Sequence, residues 1–193
     1  MISVTWSDAQ ATLGGTAQIR TRSATTGRWS PWRGFELDFQ PPELGTERAA
    51  DDLRGGTEPL WVGPSDGVQA RITGAKLPAG LRVDLIDPDS GEKESAPAPA
   101  GAATAAGQPD IVPRSGWGAD ESIVADPPTY TTDTKAVFVH HTAGTNDYTC
   151  AESASIIRGI FVYHVRSSGW NEIGYNFLVD KCGTVFEGRA GAR

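Results

Sequence analysis

The sequence predicts an α/β domain preceded by a small all-β domain, and three observations carry that prediction. Short β-type runs alternate with turn residues through residues 1–94. An Ala/Pro-rich tract follows at 95–109. Residues 110–193 then order an apolar strand, a capped helix and a hairpin, the strand–helix–strand sequence of an α/β unit.

The first half begins at a strand, Met1–Trp6, and alternation is clearest in Ala17–Arg22, where Gln18, Arg20 and Arg22 share one face. Further strands are expected at Val68–Thr73 and Leu81–Ile86, between turns at Gly14-Gly15, Thr26-Gly27, Pro41-Pro42, Gly55-Gly56 and Pro64–Gly67. Short strands between regular turns fit a β-sandwich. Trp29, Trp32 and Trp61 admit two readings: large side chains filling a small core, or, in Trp29-Ser-Pro-Trp32, an exposed platform for sugar stacking. The tract 95–109 contains seven Ala, but its three Pro and two Gly break any helix, so an extended tether is expected.

In the second half, Ala136–Val139 is apolar on both faces, as in a central strand buried on both sides. His140 and His141 follow it, and strand alternation would point them to opposite faces. Thr149-Cys-Ala-Glu152 has the form of a capping box opening a helix. Ile157, Ile160, Phe161 and His164 fall on one stripe of that helix, which makes His164 a packed core histidine, and Gly169 stands where a C-terminal glycine would end it. Ile173, Tyr175, Phe177 and Val179 are then expected to share a strand face, with Asp180–Gly183 turning into Thr184–Glu187.

Seventeen Lys and Arg stand against 24 Asp and Glu, a net charge of −7, with no run of basic residues to neutralise phosphates; no nucleic-acid partner is expected. No apolar run approaches the roughly 18 residues of a membrane span. Met1–Trp6 lacks the basic-then-apolar form of a signal peptide. Two cysteines are too few for a four-Cys zinc site, and leave open one bridge or two free thiols.

Five segments carry a family resemblance: IVPRSGWGADES (111–122), VFVHHTAG (137–144), YHVRSSGW (163–170), NEIGYNFLVD (171–180) and GTVFEGR (183–189). In this order they resemble the peptidoglycan recognition proteins, which share a fold with zinc-dependent N-acetylmuramoyl-L-alanine amidases of the phage-lysozyme type. RTRSATTGRWSPW (20–32) and GGTEPLWVGPSDGVQARI (55–72) are similar to the N-terminal domain of actinobacterial members.

The resemblance implies a mixed central sheet flanked by helices, with a zinc cleft on one face. His140 would be the first zinc ligand, His141 would face away, and Tyr175 would be the active-site tyrosine. Cys150 and Cys182 would form a disulfide, closing a loop worth roughly 3–4 kcal/mol and suiting an exported protein.

The implied reaction is attack of zinc-bound water on the amide between N-acetylmuramic acid and L-alanine of the stem peptide. The family's later zinc ligands have no counterpart up to Arg193. The chain is therefore expected to be an N-terminal part of the domain, inactive by itself and derived from an extracellular or cell-wall protein. The alternatives are a non-catalytic peptidoglycan-binding module and a wall-attachment role for the β domain. The domain limits expected are 1–94, 95–109 and 110–193.

Overall fold

The computed structural model describes residues 1–37, 53–89, 109–124, 126–128, 130 and 132–191. The chain divides into two compact units: Met1–Ile86 with Thr142–Thr145 and Ser167–Gly169, and Asp87–His141 with Asn146–Arg166 and Trp170–Arg193. The expected tether lies outside the described residues except for Pro109, as does the Pro41-Pro42 turn.

The first unit contains two three-stranded antiparallel sheets. One has the order β4(Gly55–Gly56)–β1(Ile2–Trp6)–β6(Arg82–Leu85); the other is β3(Arg33–Gly34)–β2(Gly14–Ser23)–β5(Ser65–Lys76). β1 is buried along its whole length. Ile2 packs with Ile19 and Leu60, and Trp6 with Leu13 and Ala17, so alternate residues of β1 and β2 build the core. Ser3 and Thr5 occupy the other face of β1, where the Thr5 hydroxyl donates to Asp84 at 2.6 Å. Gly55 has to lack a side chain: a Cβ there would meet Trp6 Nε1 at 2.1 Å.

Trp29 and Trp32 follow neither expected reading. They are not in the core, and their rings do not form an open platform. The Arg20 guanidinium lies 5.1 Å from the Trp29 ring and 5.0 Å from the Trp32 ring; Arg22 lies 5.9 Å from Trp29 and Arg71 4.3 Å from Trp32. The indoles are interleaved with arginines projecting from the sheet face that β2 and β5 share, an arrangement of cation–π contacts. The large core side chain is Trp6 instead, its Nε1–H satisfied by the Ala11 carbonyl at 2.9 Å.

The second unit has a mixed sheet of order β7(Ile111–Val112)–β9(Val185–Glu187)–β8(Phe177–Val179), parallel between β7 and β9 and antiparallel between β9 and β8. Among the described residues two α-helices accompany it, α1(Arg114–Trp117) and α2(Ser153–Val162); α2 continues into a π turn, Tyr163–Ser167. The expected stripe is real: Ile157, Ile160, Phe161 and His164 are all buried. At the helix entry the Glu152 carboxylate accepts from the Thr149 N–H at 2.7 Å and from its hydroxyl at 2.8 Å. Gly169 adopts φ 79°, the left-handed conformation that glycine tolerates after a helix.

Two strand expectations fail. Ala136–Val139 is not a strand, and Val137, Phe138 and Val139 are 83%, 91% and 100% exposed. A central strand needs ladder partners on both edges, and among the described residues no strand pairs with this segment. The expected common face of Ile173, Tyr175, Phe177 and Val179 is also broken. Regular strand begins only at Phe177, Leu178 is the buried residue there, and Phe177 and Val179 point outward although Ile173 is buried. Upstream, Gly174 presses on the Trp170 ring, where a Cβ would come within 2.3 Å; within β8, pairing with β9 places Leu178 opposite the buried Phe186.

Candidate functional site

The candidate site is an aromatic cluster assembled from the segment ending at His140, the end of α2 and the approach to β8. His140 Nδ1 lies 3.3 Å from Tyr175 Oη, within hydrogen-bond range, and the two rings stack at 6.2 Å and 18°. His140 is exposed and Tyr175 half-buried, so the pair presents an imidazole and a phenol to solvent. The His141 ring stands edge-on to His140 at 5.3 Å. With no strand at this point, alternation does not separate the two histidines.

His164 supports this pair from behind. It is fully buried, stacks on Trp170 at 4.3 Å and 10°, and lies 5.9 Å from the Tyr175 ring. Its Nδ1 accepts the Gly174 N–H at 3.2 Å, so a neutral ring carries its proton on Nε2. Burial, with Arg189 adding to it, pushes its pKa down to about 3. His164 therefore acts as a neutral aromatic wall.

This burial has a pH consequence. The unfolded imidazole takes a proton near 6.5, whereas the folded one does so only near about 3. Stability from this group is complete above pH 6.5 and is lost as pH falls from there towards 3, at about 1.4 kcal/mol per pH unit. Urea titrations at pH 7 and pH 5 should show a loss of about 2 kcal/mol that His164→Gln removes. Equal slopes for both proteins would contradict the assignment.

Around the cluster, Trp117 is buried with its Nε1–H on the Glu187 carbonyl at 2.7 Å, and edge-on to Phe161 at 5.8 Å. Arg114 forms an ion pair with the buried Glu172 at 3.0 Å and a two-pronged contact with Glu121, each N–O distance 2.8 Å. Cys150 and Cys182 are joined by a disulfide with Cα atoms 6.3 Å apart, linking the entry of α2 to the hairpin before β9. Asp180 organises that hairpin, its carboxylate accepting from the N–H groups of Cys182 and Thr184.

Of the residues singled out from the sequence, the fold brings His140 and Tyr175 together. It commits His164 to packing and Cys150 and Cys182 to each other. The stacking of Trp170 on His164 had no signal in spacing because it forms across the π turn rather than along a helix face, and the Arg114–Glu172 pair had none because its partners are distant in the chain. Among the described residues no three His, Cys, Asp or Glu side chains converge on a metal position. The described residues therefore do not by themselves make up a zinc site; His140 supplies one nitrogen.

A two-sheet β unit is followed in sequence by a unit that presents an imidazole–phenol pair to solvent, the organisation of a modular protein. Residues 1–109 match the family described as "Rv3811 N-terminal galactose-binding domain-like", and the chain belongs to that family. It is also similar to Peptidoglycan-recognition protein SC1a/b of Drosophila simulans, 45% identical over 51 residues, 26% of this chain and 28% of that protein. Peptidoglycan-recognition protein LE of Drosophila melanogaster is 38% identical over 79 residues, 41% of this chain and 23% of that protein. Peptidoglycan recognition protein 1 of Bos taurus is 39% identical over 79 residues, 41% of this chain and 40% of that protein. The chain thus spans well under half the length of these relatives. No solved structure matches it significantly.

Proposed function

We propose that this chain contributes a peptidoglycan-recognising surface, on which His140 and Tyr175 contact the muramyl peptide. The observation that carries the reading is the 3.3 Å approach of His140 to Tyr175, supported by the similarity to peptidoglycan recognition proteins. A paired imidazole and phenol offer both hydrogen-bond donors and acceptors, which suits the amides and lactyl group of a muramyl peptide. The disulfide suits an oxidising compartment, so the proposed place of work is outside the cell or in the cell wall.

The finer reading is a zinc-dependent N-acetylmuramoyl-L-alanine amidase. It requires metal donors in addition to His140. A purely recognising role is the second reading, favoured by the commitment of His164 to a buried hydrogen bond and of both cysteines to a bridge.

Sedimentation with insoluble peptidoglycan tests the shared part. His140→Ala and Tyr175→Phe are each expected to weaken binding by about tenfold, the scale of one lost polar contact. Unchanged binding in both variants would remove the pair from the ligand surface. Zinc content and the appearance of new L-alanine amino termini then separate the two readings. About one zinc per chain, lost in His140→Ala, together with hydrolysis would establish the amidase in this chain; binding without either would show that these 193 residues recognise without hydrolysing.

A further inference from the structure

We propose that the exposed face of β2 and β5 binds a linear polymer bearing repeated carboxylate or phosphate groups. This surface belongs to the first unit, and the proposal does not depend on the His140–Tyr175 reading. Same-face residues on a strand repeat every ~6.8 Å, about twice the ~3.5 Å contact separation of flat groups. An indole therefore fits between successive guanidiniums, and the contacts run Arg71, Trp32, Arg20, Trp29, Arg22.

Cross-strand partners fix the arginines from the side. Arg20 Nε donates to Gln69 and Arg71 Nε to Gln18, both at 2.7 Å, and Arg22 Nε donates to Asp66 at 2.7 Å. The Nη groups of Arg20 and Arg71 make no hydrogen bond among the described residues, and Arg71 is exposed. Three guanidiniums against one carboxylate make this face basic on a half that carries more acidic than basic residues. The cluster joins strands some 50 residues apart, which is why no basic run shows in the sequence.

The chemistry of the ligand follows from what the face leaves open. The flanking arginines occupy indole faces that a neutral sugar or a nucleic-acid base would need for stacking. What remains is a row of planar N–H forks suited to oxyanions. A single exposed contact of this kind is weak, so useful affinity needs several at once along one chain.

Binding of the full chain to polygalacturonate and to inorganic polyphosphate provides the test, the two arms separating carboxylate from phosphate. At least one polymer should bind at low salt and release as salt is raised. Arg20→Gln combined with Arg71→Gln should weaken binding at least tenfold, while Lys76→Gln, at the far end of β5, should change it less than twofold. If the double variant does not fold, Arg71→Gln alone should still cost about threefold. The proposal is overturned if neither polymer binds, if the foldable Arg variants bind like the parent, or if single-stranded DNA binds more tightly than both polymers.

Discussion

Replacing Arg114 with methionine should destabilise the second unit by about 3–5 kcal/mol, the scale seen when one partner of a buried ion pair is removed. The side chains of Arg114 and Glu172 are only 8% and 6% exposed, so the variant leaves a carboxylate with little access to water. Burial already raises the Glu172 pKa, against the Ile173 N–H and the Arg114 charge, which favour the ionised form. Arg114 also donates to the Gly188 carbonyl and packs over the rings of Trp117 and Phe161, at 5.4 and 5.2 Å, so packing is lost with the charge. Glu121 adds little, because 58% of its side chain is exposed.

Adding Glu172→Gln to Arg114→Met isolates the electrostatic part. It removes the stranded charge and should restore roughly half of the loss in a urea titration followed by near-ultraviolet circular dichroism. A loss below about 1 kcal/mol in the single variant would show that water reaches Glu172 and that the pair is not a structural centre.

Loss of the Cys150–Cys182 bridge should have an effect of similar size. The cysteines are 32 residues apart in sequence, and releasing a loop of that length from the unfolded chain costs about 3.5–4 kcal/mol on the chain-entropy model. The bridge ties the start of α2 to the hairpin before β9, and among the described residues it acts beside the Ser153 hydroxyl on Asp180 at 2.7 Å and the Lys181 ammonium on the Asn146 carbonyl at 2.8 Å. Cys150→Ser with Cys182→Ser, and dithiothreitol acting on the parent chain, should produce the same shift in denaturation midpoint. Disagreement between the two would point to an effect of the substitutions other than loss of the crosslink.

Local pattern was a good guide wherever one element could decide its own state. The stripe through Ile157, Ile160, Phe161 and His164 marked a helix, and these four residues are buried, the first three in α2 and His164 in the π turn that continues it. The runs around Ala17–Arg22, Val68–Thr73 and Leu81–Ile86 fall within β2, β5 and around β6. The failures all involve partners from elsewhere. Ala136–Val139 has strand composition but no paired neighbour among the described residues. Phe177 and Val179 are exposed and Leu178 between them is buried, because pairing with β9 sets Leu178 opposite Phe186. Trp29 and Trp32 looked like core or platform because their arginine neighbours come from other parts of the chain. At the site, His140 and Tyr175 stood out through resemblance alone; neither spacing nor composition signals the stack of His164 on Trp170.

The exposed Val137-Phe138-Val139 segment has a practical consequence for anyone handling the protein. Three β-prone apolar residues in solvent, with Ala136 before them and no charge between Lys135 and His140, have the composition that nucleates intermolecular cross-β stacking. Lys135 places a charge directly before the segment and acts as a gatekeeper against that stacking. This short segment beside the candidate site is therefore the expected starting point for self-association of the chain. A charge placed at Phe138 would oppose that association and, because His140 is two residues away, would alter the candidate site at the same time.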